Sequence, residues 1–270
     1  MDIRRAGIPA HVLASLGMAF LVFPLLVVLP VSFTDKRYLS MPDTWSLQHY
    51  ETLFTSTAWL SSIGTSLLVA AIASVVATTL AVSFALGVWY LRSRWAVALL
   101  IIVMLPMAVP PVISAMVLYF LGTSVSGVLP WIGNDTLGGV ILAHIIMVEP
   151  FAVVVVLVAL SQLDRRIETA ARSLGASMMQ TTFLVVLPNI RHGILSTLFL
   201  TFVLSWEEVA VTLFVTSVNV ITLPRRIWSG LRDALDPVIA AISAVLILLT
   251  VLVVLGRALA PLFRRREAET

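Results

Sequence analysis

Long apolar runs separated by short polar segments dominate this chain. Six stand out: Pro9–Phe33, Ser61–Leu91, Trp95–Leu121, Leu137–Leu160, Gly193–Val218 and Val238–Pro261. A helix needs about 20 residues to cross a hydrocarbon core about 30 Å thick, and every run reaches that length. The second is long enough to extend past the bilayer or to tilt. Alternation at every second residue over segments of about ten, the mark of a membrane barrel, is absent. In lipid only helices or closed barrels satisfy their own backbone groups. The pattern therefore predicts an all-α, polytopic membrane protein with six transmembrane helices.

The polar segments set the expected topology. Arg4 and Arg5 precede the first run, as in a secretory signal peptide. That run exceeds the usual 7–15-residue apolar region, and no small-x-small site follows, so an uncleaved first span is expected. With the N-terminus inside, Arg4, Arg5, Arg92, Arg94, Arg165, Arg166, Arg172, Arg191, Arg257, Arg264, Arg265 and Arg266 face the cytoplasm. Lys36, Arg37, Arg225, Arg226 and Arg232 then lie outside, so twelve basic residues oppose five. That bias predicts both termini in the cytoplasm, against the three arginines of the last external loop. The external segment Thr34–Leu60 carries Trp45, Tyr50 and Trp59, and reads either as a short interfacial helix or as an aromatic belt. The segment Ser161–His192 is polar and cytoplasmic. No linker or low-complexity tract divides residues 1–270, which read as one transmembrane domain.

Composition sharpens the class. Sixty per cent of the 270 residues are hydrophobic and 11% are charged, with a mean hydropathy of +1.05; a soluble domain carries about 25% charged residues. The absence of cysteine excludes disulfides, thiol nucleophiles and Cys-based metal sites. A net charge of +3 does not point to nucleic acid, because the basic residues flank apolar spans and form no stripe interleaved with aromatics. No G-x-x-x-x-G-K-[ST] run exists, and the single lysine is Lys36. No H-E-x-x-H, G-x-S-x-G or metal-ligand cluster is present either. The chain is expected to be no enzyme and to hold no cofactor or metal of its own.

One cytoplasmic stretch carries a specific signal: Ile167–Pro188 reads IETAARSLGASMMQTTFLVVLP. Ala170, Ala171 and Leu174 would share one side of a short helix over Ile167–Ser177, with Arg165, Arg166, Glu168 and Arg172 mainly elsewhere. Gly175 would end that helix without a Cβ penalty, and Pro188 would begin the return toward the membrane. A short amphipathic helix between two turns suits docking in a groove of another protein. Helices lying on a membrane surface favour larger apolar residues on the buried face.

This stretch resembles the EAA loop of binding-protein-dependent ABC importer permeases: Glu-Ala-Ala, Gly four residues after the second Ala, then hydrophobic-x-Leu-Pro. Ala170, Ala171, Gly175, Val185, Leu187 and Pro188 fill those places. The Glu position holds Thr169, with Glu168 one residue earlier. The resemblance implies a type I ABC importer permease (MetI-like) fold in a bacterial inner membrane, with a core over about 61–262. It implies ATPase coupling through Glu168, Thr169, Ala170, Ala171, Leu174, Gly175 and Pro188. It also implies four kinds of partner: a second homologous permease, an ABC ATPase dimer that binds the ATP, a periplasmic solute-binding protein and membrane lipid. The stretches LPMAVPP (Leu105–Pro111), SWEEVAVTLFV (Ser205–Val215) and LDPVIAAISA (Leu235–Ala244) are similar to the smaller permease subunit of spermidine/putrescine importers. That subfamily also serves other small cations, amino acids and phosphonates.

Three acids lie inside apolar runs: Glu149, followed by Pro150, and the pair Glu207–Glu208 after Trp206. A carboxylate at bilayer centre costs about 2.5–3.5 kcal/mol even on a lenient scale, so such residues face a protein interior or a water-filled path. No basic residue lies inside these spans, which favours a cation. The resemblance places an acidic pair of polyamine permeases at Glu207 and Glu208, and Trp206 offers a cation–π contact. Adjacent helical residues point about 100° apart, so one of the pair is expected to face the path. Glu149 is open between a path role and a hydrogen bond to a neighbouring helix, with His144 about one turn away on its own helix. Pro106, Pro110 and Pro111 would break the third helix, either freeing carbonyls to line the path or making a packing kink. The alternative class is a proton-coupled secondary transporter, disfavoured because no internal repeats are evident.

Overall fold

The computed structural model describes residues 8–91, 94–233 and 235–267, with side chains placed for 10–91, 95–233 and 235–256. Among the arginines expected inside, Arg4, Arg5 and Arg92 lie outside the described residues. Every regular element among the described residues is helical. Contacts along the chain gather it into two compact units, one of residues 1–60 with 227–270 and one of residues 61–226.

In the first unit α13 (Val238–Glu267) packs against α1 (Ile8–Val31) and α2 (Gln48–Thr55). The side chains of α1 are exposed from Ala10 to Leu26 although the helix is apolar all round, which suits lipid or another chain rather than water. The short helix anticipated after the first span is α2. Phe33 anchors it, with its ring 5.5 Å from Trp45 and 5.3 Å from Tyr50, while the Tyr50 hydroxyl meets Ser32 Oγ at 2.6 Å.

The second unit is built on α3 (Thr57–Leu91) from Ser61 onward, α4 (Arg94–Ala108), α5 (Pro111–Ser126) and α6 (Leu137–Ser161). It continues through α7 (Arg165–Ser173), α8 (Met178–Thr181), a π turn (Thr182–Val186), α9 (Leu187–Asn189), α10 (Arg191–Trp206) and α11 (Ala210–Val215); α12 (Leu223–Asp233) starts at its end. Two apolar clusters form its core. Val69, Ala115, Val140, Ala143, Met147, Val211, Val215 and Val220 make one; Ala81 and Ala85 of α3 join Ala152, Val153, Val156, Leu160, Val186 and Ile190 in the other. Small residues let helix backbones approach closely where lipid offers no hydrophobic drive. Gly193 is a case in point, because a Cβ there would collide with Ala159 and push α10 away from α6.

Among the described residues, four helices are long and apolar enough to cross a membrane: Ala10–Val31, Thr57–Leu91, Leu137–Ser161 and Val238–Gly256. Two bent pairs raise the number to six if each makes one crossing. The first bend bears out the break expected in the third helix, though at Pro110 and Pro111 and not at Pro106, and the second lies ahead of the fifth apolar run. The run Trp95–Leu121 is not one helix, since α4 and α5 meet at 109°. Pro106 sits inside α4 without ending it. The break falls at Pro110, whose φ of −52° and ψ of 135° are extended, and Pro111 opens α5; a residue before proline is driven out of the helical region. In the second pair, Met178–Asn189 meets α10 at 68°. The run Gly193–Val218 is also interrupted, because α10 stops at Trp206 and α11 starts at Ala210.

Candidate functional site

The loop between α6 and α10 is built by local capping. Asp164 accepts the Arg166 N–H at 2.9 Å and starts α7; a side-chain oxygen at this place satisfies an N–H the helix cannot. Ser173 ends α7, four residues before the expected Ser177. Gly175, at φ +90°, makes the stop: its N–H bonds Arg172 O at 3.0 Å and the Ala176 N–H bonds Ala171 O at 3.1 Å. This paired closure needs a left-handed residue, which glycine supplies at least cost. Ser177 and Gln180 then cap α8 reciprocally, at 3.2 and 2.8 Å. Pro188 lies within α9, and the chain turns at Ile190 rather than at the proline.

The expected coupling residues separate into two sets. Leu174 is 90% exposed, and Thr169 and Ala170 are exposed beside it, with Ala171 half-buried. Met178 and Met179 extend this bare apolar surface. Glu168 points inward instead, where its Oε2 accepts the Trp89 indole N–H at 3.1 Å. The Arg165 guanidinium lies 3.9 Å over the Trp89 ring. Next to it, the Tyr90 hydroxyl meets Thr182 Oγ1 at 2.9 Å. Trp89 and Tyr90 escaped the sequence reading, because nothing local marks a partner 79 residues away.

The acidic pair sits at the break between α10 and α11, not within a helix. Glu208 Oε1 accepts the Val211 N–H at 3.1 Å and so caps α11. Glu207 terminates α10, its N–H bonded to Val203 O at 3.1 Å. Its side chain is exposed, and its carboxylate has no hydrogen bond or ion pair among the described residues. Trp206 stacks on Phe202, with centroids 6.4 Å apart and planes at 15°. The opposite face of α10 buries Thr197, Thr201 and Ser205. There His144 Nδ1 and Ser205 Oγ lie 2.8 Å apart, so this histidine meets a buried polar group on another helix and not Glu149 on its own. Glu149 is half-buried on α6, and its Oε2 has no partner among the described residues. The three acids thus have three different settings, and Glu207 is the one presented outward. Among the described residues no group of three or more His, Asp or Glu could hold a metal ion.

A further acid, Asp135, fastens the loop after α11. It takes φ 56° and accepts the N–H groups of Ser217 at 2.8 Å, Val218 at 2.9 Å and Asn219 at 3.0 Å, with Val220 at 3.2 Å. Arg225 holds the same turn through the carbonyls of Thr212 at 2.7 Å and Thr216 at 2.6 Å. Partial burial pushes the Asp135 carboxyl up, but the N–H groups of Asn219, Val218, Ser217 and Val220 outweigh it and lower it from 3.8 to about 2. A pKa depressed by folding adds stability that is complete above the unfolded value and fades as pH falls from about 4 toward 2. Asp135→Asn should therefore lower the Tm at neutral pH by about 2–4 °C per kcal/mol lost, and flatten the decline between pH 4 and 2. A thermal-melt series of the detergent-solubilised protein measures both.

Residues 77–265 match the family described as binding-protein-dependent transport system inner membrane component. The chain belongs to this family. It is thus a multi-pass inner-membrane permease. The permease is 31% identical over 237 residues to the "Putrescine transport system permease protein PotI" of Escherichia coli (strain K12), covering 87% of this chain and 84% of that protein. It is 38% identical over 197 residues to the "Probable molybdenum ABC transporter permease protein" of Haloferax volcanii, covering 69% of this chain and 72% of that protein. Its fold matches a chain of a bacterial ABC transporter involved in the import of the acidic polysaccharide alginate. The TM-score is 0.69 over 94% of this chain and 95% of that one, at 14% identity. The permease therefore has the type I ABC importer fold anticipated from its EAA-like loop.

Proposed function

We propose that this permease forms half of an ABC importer's path and that α7 is its contact with a separate ATPase. The observation that carries the reading is the bare Ala170–Leu174 surface, held in place by the closure at Gly175. An exposed leucine on a short, doubly capped helix outside the spans is suited to a groove on a partner. The arginine bias puts this loop and both termini in the cytoplasm. A second homologous permease completes the path, two ATPase subunits bind the ATP, and a periplasmic binding protein delivers the solute. The permease itself takes no cofactor and performs no hydrolysis.

The cargo is a small cationic or amine-bearing solute of the polyamine kind. Glu207 ends α10, where the helix dipole already leaves partial negative charge, and an exposed carboxylate there favours a cation. The putrescine relative supports this reading. The molybdenum relative supports a second one, in which the cargo is a metal oxyanion and Glu207 lies off its route. Proteoliposomes holding the permease with its partner chains separate the readings. Putrescine uptake that needs ATP on the ATPase side and survives a proton uncoupler is the predicted result. Uptake driven by a proton gradient without ATP would contradict the ABC assignment, and uptake of molybdate in place of putrescine would replace the cargo.

A further inference from the structure

Trp89 stands between the surface proposed for the ATPase and the spanning helix α3. It lies near the end of that helix, two residues before Leu91. Two residues of α7 grip it. Arg165 covers one face of its ring at 3.9 Å, and Glu168 accepts its N–H at 3.1 Å. Arg165 and Glu168 are three residues apart and so share one side of α7. Arg172, four residues further on, lies 4.0 Å from Glu168, within reach to hold the carboxylate in place. Tyr90 makes the next tie, to Thr182 in the π turn beyond α8. Elsewhere α7 borders space: a cleft of about 700 Å³ is lined by Ile167 and Asp164 together with Val155 and Ala159 of α6 and His192 and Ser196 of α10.

We propose that Trp89 is the positioning residue through which displacement of α7 moves α3, with Arg165 and Glu168 as the grip. The inference rests on the reading of α7 as the ATPase contact. It also accounts for the one-residue displacement of the acid from the EAA pattern. A step of one residue turns a side chain about 100° around a helix. An acid at position 169 would share the exposed side, whereas Glu168 reaches Trp89. The carboxylate is thereby spent on an internal tie, and the ATPase meets Thr169, Ala170 and Leu174. A cation–π contact together with a charge-assisted hydrogen bond resists pulling as well as pushing, which a lone apolar contact does not.

The test uses the full importer in nanodiscs and reads ATP hydrolysis with and without the loaded binding protein. Trp89→Phe keeps a ring under Arg165 and loses the N–H donor; Glu168→Ala loses the acceptor; Glu168→Gln keeps a neutral acceptor. Each of the first two should cut stimulated hydrolysis about three- to tenfold, with the ATPase content of the complex matching that of the unaltered importer. Glu168→Gln should restore most of the stimulation. The double variant Trp89→Phe/Glu168→Ala should be no worse than the poorer single, because both remove one interaction. Wild-type stimulation in the singles, or independent multiplying losses in the double, would overturn the link while leaving the docking of α7 intact. A wild-type permease that captures no ATPase would remove the docking reading and the link together.

Discussion

Gly175→Asp is expected to abolish solute uptake while the binding protein's affinity for its solute stays unchanged. The reason is local and conformational. Gly175 sits at φ +90° with open space where a Cβ would stand, so a side chain there meets no neighbour. What fails is the backbone: a left-handed residue other than glycine costs about 1–2 kcal/mol. The bonds from Gly175 to Arg172 and from Ala176 to Ala171 depend on that conformation. Losing them lets the end of α7 unwind and turns Leu174 away from its exposed position, while the aspartate adds a charge to an apolar contact. Gly175→Ala, with the strain but not the charge, should keep part of the activity. Transport assays on membrane vesicles, paired with ATPase co-purification, give the outcome. Normal uptake by Gly175→Asp would separate this turn from coupling.

Glu207→Gln should reduce putrescine uptake about tenfold, against a change within about twofold for Glu208→Gln. The two adjacent acids differ because the helix breaks beneath them. An ammonium about 4 Å from a carboxylate gains about 4 kcal/mol at an intermediate dielectric, and a third of that is a factor of ten. Glu207 offers that charge unpaired, whereas Glu208 spends an oxygen on the Val211 N–H. Glutamine still provides an acceptor there, while Glu208→Ala removes the cap at a cost of about 1 kcal/mol and should lower the Tm. Initial rates of labelled putrescine uptake, with protein amounts matched, measure the contrast. Equal losses at both positions would mean that the break itself, and not the exposed charge, matters.

Much of this was readable along the chain because it is local. The fourth apolar run ended one residue short of the helix Leu137–Ser161, since nothing but hydropathy is needed to place a straight span. Gly175 as a helix stop followed from its chemistry. Two further local signals were legible but unread: Asp164 ahead of Arg165, and Ser177 three residues before Gln180, both helix starts. The break at Glu207–Val209 was masked by apolar residues on either side, which continue the same pattern. Long-range pairings left no trace. His144 lies five residues from Glu149 in sequence, yet its partner is Ser205 on another helix. Trp89 looked like one more aromatic at the end of a span until the fold brought Glu168 and Arg165 to it.

The absence of cysteine from these 270 residues makes the central contact open to a direct measurement. Leu174→Cys gives a single thiol on the exposed surface of α7, and a bifunctional thiol reagent applied to inside-out vesicles reports what lies against it. Cross-linking to the ATPase subunit, with a yield that changes between nucleotide-free and ATP-trapped states, is the result the account predicts. Labelling of that thiol from the periplasmic side, or a position that never meets the ATPase in either state, would contradict it.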